Sequence, residues 1–489
     1  MQAFELEPRR DLTLAHATSL VVGIAIGTGV FLKSAQMAQV VGTPALLLGA
    51  WVAAGGVALL AALCFAELGA LLPDAGGEYV YLRAAYGEVP GFLFACNSFL
   101  LGGASIAAYG AAVAIFVSDI HPFDTHWFAL HLGGSYTLEF GPRQLIAVGV
   151  IAVFAAINSL GVMLGGRVQT LLTVTKVVAI LGVAAGVFLF SGRHDLHNLA
   201  PPEGSHGGGL AGFGAAMFAA LWAYSGWQYL PMAASEVREP QRTLPRAIIG
   251  GTLLVAAIYL TINFAYLYAL PYAQVATANS TAYPEAPSVA ARAVQTFLGE
   301  RALSVAALIF LISTIGSLNG TILTRARVSF AAARDGLFFR SFGRLHPRTH
   351  VPLVSLVLNC LWAAVLALSG TFEELTNMAV MSYALFWIPV VLAVPVLRRR
   401  LPDLPRPFRV PGYPLVPALV ALVMAWIVVS AFLTTPGESL ATLVLILLGL
   451  PLYPFFRRRG TGASGSHSSS QSVTGAPRLT QNPRPASRN

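Results

Sequence analysis

The chain has 489 residues, 56% of them hydrophobic and only 10% charged, with a mean hydropathy of +0.69. A soluble chain carries about 25% charged residues, so soluble enzymes and nucleic-acid-binding domains are excluded as classes. The net charge of +9 therefore has to be read by position. Apolar runs of about 18 residues or more recur throughout, which predicts an all-α polytopic membrane protein. Twelve membrane-spanning helices are expected, near 13–33, 44–72, 90–118, 144–163, 168–191, 210–234, 246–270, 301–324, 351–370, 375–397, 414–434 and 438–456.

Span 1 holds the stretch LVVGIAIGTGVFLK, residues 20–33, with Gly23, Gly27 and Gly29 inside an apolar run. Each glycine weakens a helix by roughly 1 kcal/mol relative to alanine. The run is predicted to be a span, because it is long for a cleavable signal and no small-residue cleavage site follows it. After span 2 comes FAELGALLPDAGGEYVYLRAAYG, which places Glu67 and Asp74 at the end of that span. The loop before span 4 carries His121, His126 and His131, whose spacing of five fits no helical metal face; solvated histidines are expected, and no metal or cofactor. Span 5 contains Lys176, the one ionisable residue well inside a span. At 1.5 Å per residue it lies roughly 13.5 Å beyond Arg167, deeper than a lysine side chain reaches by snorkelling.

Span 6 is interrupted by Ser225-Gly226 within FAALWAYSGWQYL, and Glu236 follows at its end. Asn319 lies in span 8, placed either to face a pocket or to satisfy a neighbouring helix. Arg325, Arg334 and Asp335 come next, in an arginine-rich connection. Residues 460–489 are rich in Gly, Ser and Pro and read as a disordered tail.

With the N-terminus inside, most of the 30 Lys and Arg residues fall on the inner side, and only Lys33, Arg143, Arg193, Arg292 and Arg301 fall outside. This positive-inside bias places both termini in the cytoplasm. Cys64, Cys96 and Cys360 all lie in or beside spans, so neither an internal disulfide framework nor a disulfide-linked partner is expected. Membrane lipid is the expected surround.

The breaks in spans 1 and 6 stand five spans apart and in opposite orientation, which points to an inverted-repeat transporter. The organisation is then an N-terminal segment 1–12, a first repeat 13–191, a second repeat 210–397, and peripheral helices 11 and 12 at 414–456. Unwinding a helix in hydrocarbon leaves backbone groups unpaired at a cost of several kcal/mol, unless a ligand satisfies them. A zwitterion offers both kinds of partner. The amides of Thr28 and Gly29, at the positive end of a helix dipole, suit a carboxylate. Carbonyls of Ala25, Ile26, Trp222, Ala223 and Ser225 suit an ammonium group. Gly23-xxx-Gly27 also fits close helix packing, and it is the matching break in span 6 that favours a site. The absence of a deep carboxylate in any predicted span favours neutral over cationic substrates.

GIAIGTGVF resembles the Gly-x-Gly-[Ile/Val]-Phe signature of the amino acid–polyamine–organocation superfamily. FAELGALLPDAGGEYVYL, LWAYSGWQYLPMAASEVREPQRTLPRAI, GSLNGTILTRARVSFAAARDG and RPFRVPGYP resemble further motifs of it in matching order. The resemblance covers nearly residues 10–455 and is strongest to the L-type amino acid transporter branch. It implies a LeuT-like five-plus-five inverted repeat with discontinuous helices 1 and 6. It also implies transport of amino acids, with Thr28, Gly29, Trp222, Ala223 and Ser225 at binding-site positions. Lys176 then stands where sodium sits in sodium-coupled transporters of the same fold, bonded to span-1 carbonyls. Two positions depart from the pattern: Trp222 replaces a smaller Phe, and Ser225 replaces Gly or Asp.

The expected function is a sodium-independent secondary transporter of neutral L-amino acids, working as an exchanger in a bacterial cytoplasmic membrane. A proton-coupled permease is the alternative within the class. A channel would show a continuous polar lining or a ring of charges, and a membrane enzyme a nucleophile or paired carboxylates at depth. The spans show neither; a nutrient sensor without transport stays open. Glu67, Asp74, Glu236, Arg325, Arg334 and Asp335 are candidate charges of a cytoplasmic gate, able to pair when the inner path closes.

Overall fold

The computed structural model of the chain describes residues 6–121, 123, 127–131, 137–191, 196–201, 204, 207–280, 282–283, 285–369, 372–434 and 436–461. His126 and most of the expected tail lie outside the described residues. Among those described, ten helical stretches are long and apolar enough to cross a membrane, and two shorter apolar helices accompany them.

Span 1 is two helices, α1 (Leu14–Ala25) and α2 (Gly29–Val41). The entry to α1 is fixed by His16, whose Nδ1 accepts the Thr13 amide at 3.3 Å. Gly42, at φ 77°, ends α2 in the left-handed conformation that glycine tolerates. α3 (Pro44–Leu71) starts on a Thr43 cap with Pro44 in its first turn, where a missing N–H costs nothing. A short α4 (Glu78–Tyr86) follows, and span 3 is α5 (Glu88–Leu100) joined through Leu101 to α6 (Gly102–Ile120).

Next comes a hairpin of β1 (Phe128–His131) and β2 (Thr137–Phe140), antiparallel with Phe128 opposite Phe140. It departs from the all-helical expectation: a loop this long pairs its own backbone groups where they are not carried in a helix. Spans 4 and 5 are α7 (Pro142–Ser159) and α8 (Val162–Phe190). α9 (Gly209–Ala223) stops at the expected break, and the chain resumes as a 3-10 turn, Leu230–Glu236, before α10 (Pro240–Ala269). Two short helices, α11 (Tyr272–Ala276) and α12 (Val289–Leu298), precede α13 (Ala302–Arg334), which runs well past the expected end at 324. α14 (Leu353–Ser369), α15 (Phe372–Arg400), α16 (Leu415–Thr434), α17 (Pro436–Leu447) and α18 (Tyr453–Thr461) complete the fold.

The buried apolar side chains separate into two clusters. One joins α6, α7, α13 and α14 through residues such as Ala107, Ile151, Leu318 and Leu356. The larger one runs through α1, α2, α3, α9 and α10 and continues into α15 and α16. The two breaks lie along α13, which contributes to both clusters.

Candidate functional site

The two interrupted helices meet at their breaks. Ile26, at φ −76° and ψ 82°, leaves the helical region, and the Gly27 amide turns back to donate to the Ala25 carbonyl at 2.8 Å. A side chain on Gly29 would place its first carbon 2.7 Å from Cβ of Ala223; one on Gly226 would stand 2.5 Å from the Ala25 nitrogen. Glycine at both positions therefore lets each broken backbone lie against the end of the other helix. Helical repetition leaves the first amides of α2, those of Thr28 and Gly29 among them, without acceptors inside the helix. They carry the positive end of its dipole toward the end of α9.

Lys176 of α8 is fully buried. Its Nζ donates to the carbonyls of Gly23 at 2.8 Å, Ile26 at 2.7 Å and Ser313 at 2.6 Å, which uses all three ammonium donors. Two hydroxyls of α13 complete the shell: Ser313 Oγ donates to Ile26 at 2.8 Å, and Ser317 Oγ to Ile24 at 3.0 Å. The Ile26 carbonyl is thus already occupied and does not serve a substrate ammonium group in this arrangement. The Tyr259 hydroxyl of α10 lies 2.8 Å from the carbonyls of both Ala25 and Ala223. Its single proton serves one at a time, so the carbonyls that end the two half-helices are tied together and keep accepting capacity.

Trp222 and Ser225 open onto a crevice of about 340 Å³ that also borders Tyr383 and Trp387 of α15. Asn319 is elsewhere. Its amide donates to the Gly165 carbonyl at 3.3 Å and Gln169 Oε1 at 2.8 Å, and its oxygen accepts from Asn158 at 2.9 Å. These are the partners of the helix-packing alternative, and they bind α7, α8 and α13 together.

Five of the six candidate gate residues are held by partners other than one another. Glu67 receives two bonds from Arg398, at 2.8 and 2.7 Å, and one from the Val410 amide at 2.6 Å. Glu236 pairs with Arg327 through two bonds of 3.0 and 3.1 Å, both side chains buried. Asp335 accepts from Arg83 and Tyr79, each at 2.8 Å. Arg334 turns to Glu7 at 2.9 Å and to the Leu6 carbonyl. Arg325 faces hydroxyls, bonding Tyr229 at 3.1 Å and Tyr383, with its guanidinium over both rings. No ion pair holds Asp74 among the described residues; burial, and then the charge of Asp335, raise its pKa.

Sequence reasoning missed several of these side chains. Ser313 and Ser317 carry a legible signal, two hydroxyls four residues apart on one helical face. Arg327 sits two residues from Arg325 and so on another face of α13. Tyr259, Tyr229 and Tyr383 read as ordinary span aromatics, and nothing local separates them from the rest. Glu78 was hidden by its place in a connection; the structure buries it at the start of α4, with Oε2 lacking a partner.

The family model described as amino acid permease matches residues 12–451. The serine/threonine exchanger SteT of Bacillus subtilis is 32% identical over 459 residues, covering 92% of this chain and 98% of its own. The human b(0,+)-type amino acid transporter 1 is 31% identical over 465 residues, covering 92% and 88%. The human cystine/glutamate transporter is 26% identical over 452 residues, covering 92% and 86%.

Proposed function

The chain belongs to the amino acid permease family, and on that premise we propose that it is a sodium-independent exchanger of neutral L-amino acids that works by alternating access. The observation that carries this reading is the Lys176 ammonium on the Gly23 and Ile26 carbonyls. A fixed cation there does the structural work of a bound ion, so the break in span 1 needs no sodium to hold its shape. The substrate carboxylate docks on the amides of Thr28 and Gly29, and its ammonium group on the Ala25 and Ala223 carbonyls beside Tyr259. The buried carboxylates Glu67 and Glu236 are both paired with arginines, which favours a substrate without net charge. The names of the relatives, exchangers and transporters of amino acids, favour exchange.

Twelve spans in a five-plus-five inverted repeat account for the packing. α1 lies on α10 as α9 lies on α3, and α6 on α14 as α13 on α7, each pairing recurring five spans later. Spans 1, 2, 6 and 7 then rock against the separately cored α6, α7, α13 and α14. Both termini lie in the cytoplasm and the membrane is the cytoplasmic one, consistent with the charge bias. Proton-coupled uptake is the second reading, and Glu78, a buried carboxylate with an unpartnered oxygen, is the observation that favours it.

The test is uptake of radiolabelled alanine and leucine into proteoliposomes, with and without internal amino acid, sodium and a pH gradient. Uptake that needs only internal amino acid is expected, and Lys176→Ala is expected to lower it by tenfold or more, at about 1.4 kcal/mol per factor of ten. Uptake driven by inward protons and lost in Glu78→Gln would establish the second reading instead.

A further inference from the structure

We propose that the crevice between α9, α15 and α16 receives the substrate's side chain, and that Met424 of α16 sets the largest neutral side chain admitted. The inference rests on the reading of the chain as an amino acid transporter and deepens it. From sequence, the span that became α16 was a peripheral addition. In the structure it is a wall of the site.

Three observations carry this. The crevice is bordered by Trp222 and Ser225 from α9 and its break, by Tyr383 and Trp387 from α15, and by Met424 and Ile427 from α16. Ser225 belongs to the same interrupted backbone whose glycine lies against Ala25, so the crevice begins where the carbonyls of the two breaks end. An amino acid held by its backbone at the breaks has its side chain at the mouth of this space.

The second observation is that α16 is keyed to α9. The Trp426 indole occupies the position that a side chain on Gly214 would take. Met424 therefore stands across the crevice from Trp222 on a helix that packs on α15 and α3 and reaches α9 through Trp426.

The third is the chemistry of the lining. Ser225 Oγ already accepts from Gln228 at 2.6 Å. The Tyr383 hydroxyl is engaged by Tyr229 at 3.0 Å, by Ser105 and by Arg325. Arg325 is kept behind the Tyr383 ring. What remains for a ligand is two indole faces, the Phe218 ring, a thioether, aliphatic carbon and the single proton of the Ser225 hydroxyl. A charged side chain entering here exchanges its hydration for at most that one neutral hydroxyl, whereas an apolar one loses nothing. The thioether is unbranched and adaptable, so the wall yields to side chains of different length up to a limit of volume. The substrate class is neutral amino acids with apolar side chains, bounded above by the depth between Trp222 and Met424.

The experiment is counterflow in proteoliposomes of the full chain, with labelled alanine, leucine, phenylalanine and glutamate. Met424→Trp is expected to lower the leucine-to-alanine rate ratio by about tenfold with alanine nearly unchanged, the scale at which hydrophobic pockets discriminate size. Met424→Ala is expected to raise the phenylalanine-to-alanine ratio. Leu422→Trp, at a position of α16 that is 68% exposed, is expected to leave every ratio unchanged. If alanine exchanges normally and neither Met424 variant moves a ratio, the subsite is overturned and the transport reading stands. Equal loss of all substrates in Met424→Trp, with unmoved ratios in Met424→Ala, also overturns it. A wild-type protein that exchanges no neutral amino acid overturns the transport reading, and the subsite with it.

Discussion

Glu78 is 1% exposed in the first turn of α4. Burial pushes its pKa from an ordinary 4.5 up to about 8, against the opposing pull of its own amide and of Arg325. The native state therefore holds a proton that the unfolded chain releases, and the sign follows. The stabilisation is complete below pH 4.5 and is lost as the pH rises toward about 8. The melting temperature of the purified protein is expected to fall across that window, with a shallower slope in Glu78→Gln. Equal slopes would refute the assignment. Asp74 and Asp335 are raised by burial too and act in the same sense, so the variant removes part of the slope. At this scale Lys176 was legible, because a lone lysine so deep in an apolar span needs acceptors and the nearest break supplies them. Tyr259 was not, since a tyrosine among apolar residues looks the same whether its hydroxyl meets a carbonyl or the membrane surface.

Among the elements, the two broken helices depend on each other. Gly226→Ala places a methyl carbon 2.5 Å from the Ala25 backbone nitrogen, where no flexible side chain can yield. It is expected to abolish exchange, whereas Gly250→Ala on α10, with open space around it, leaves transport intact. Comparing uptake by the two variants at equal folded yield checks this; full activity in Gly226→Ala would show that the contact is dispensable. Both breaks were legible as glycines inside apolar runs. The 3-10 course of Leu230–Glu236 was not legible, because apolar composition alone does not separate it from a continuing α-helix. Nor was the reach of α13 to Arg334, where the reading stopped at the first arginine although Ala and Val beyond it sustain the helix.

The whole molecule is laced at its charged end by ion pairs between elements distant in sequence. The Glu236–Arg327 pair joins the segment after the span 6 break to α13 with both partners 2% exposed. Removing one partner leaves a buried charge uncompensated, and Arg327→Met is expected to destabilise the protein by about 3–5 kcal/mol. The double variant Arg327→Met, Glu236→Gln is expected to recover most of that, as read by thermal unfolding; additive losses would argue against direct coupling. The gathering of charges after spans 2, 6 and 8 was legible in the sequence. Its pairing was not, because Arg398 and Arg83 reach Glu67 and Asp335 only through a fold that brings distant segments together.

Lys176 has one more consequence. An ion that binds and leaves has a concentration on each side of the membrane, and a transporter that uses it draws work from the difference. An ammonium group fixed to the chain has no such difference to draw on. In the proposed exchange cycle, whatever moves uphill is matched by another amino acid moving downhill, and the protein then sets the ratio of amino acids across the membrane rather than their total.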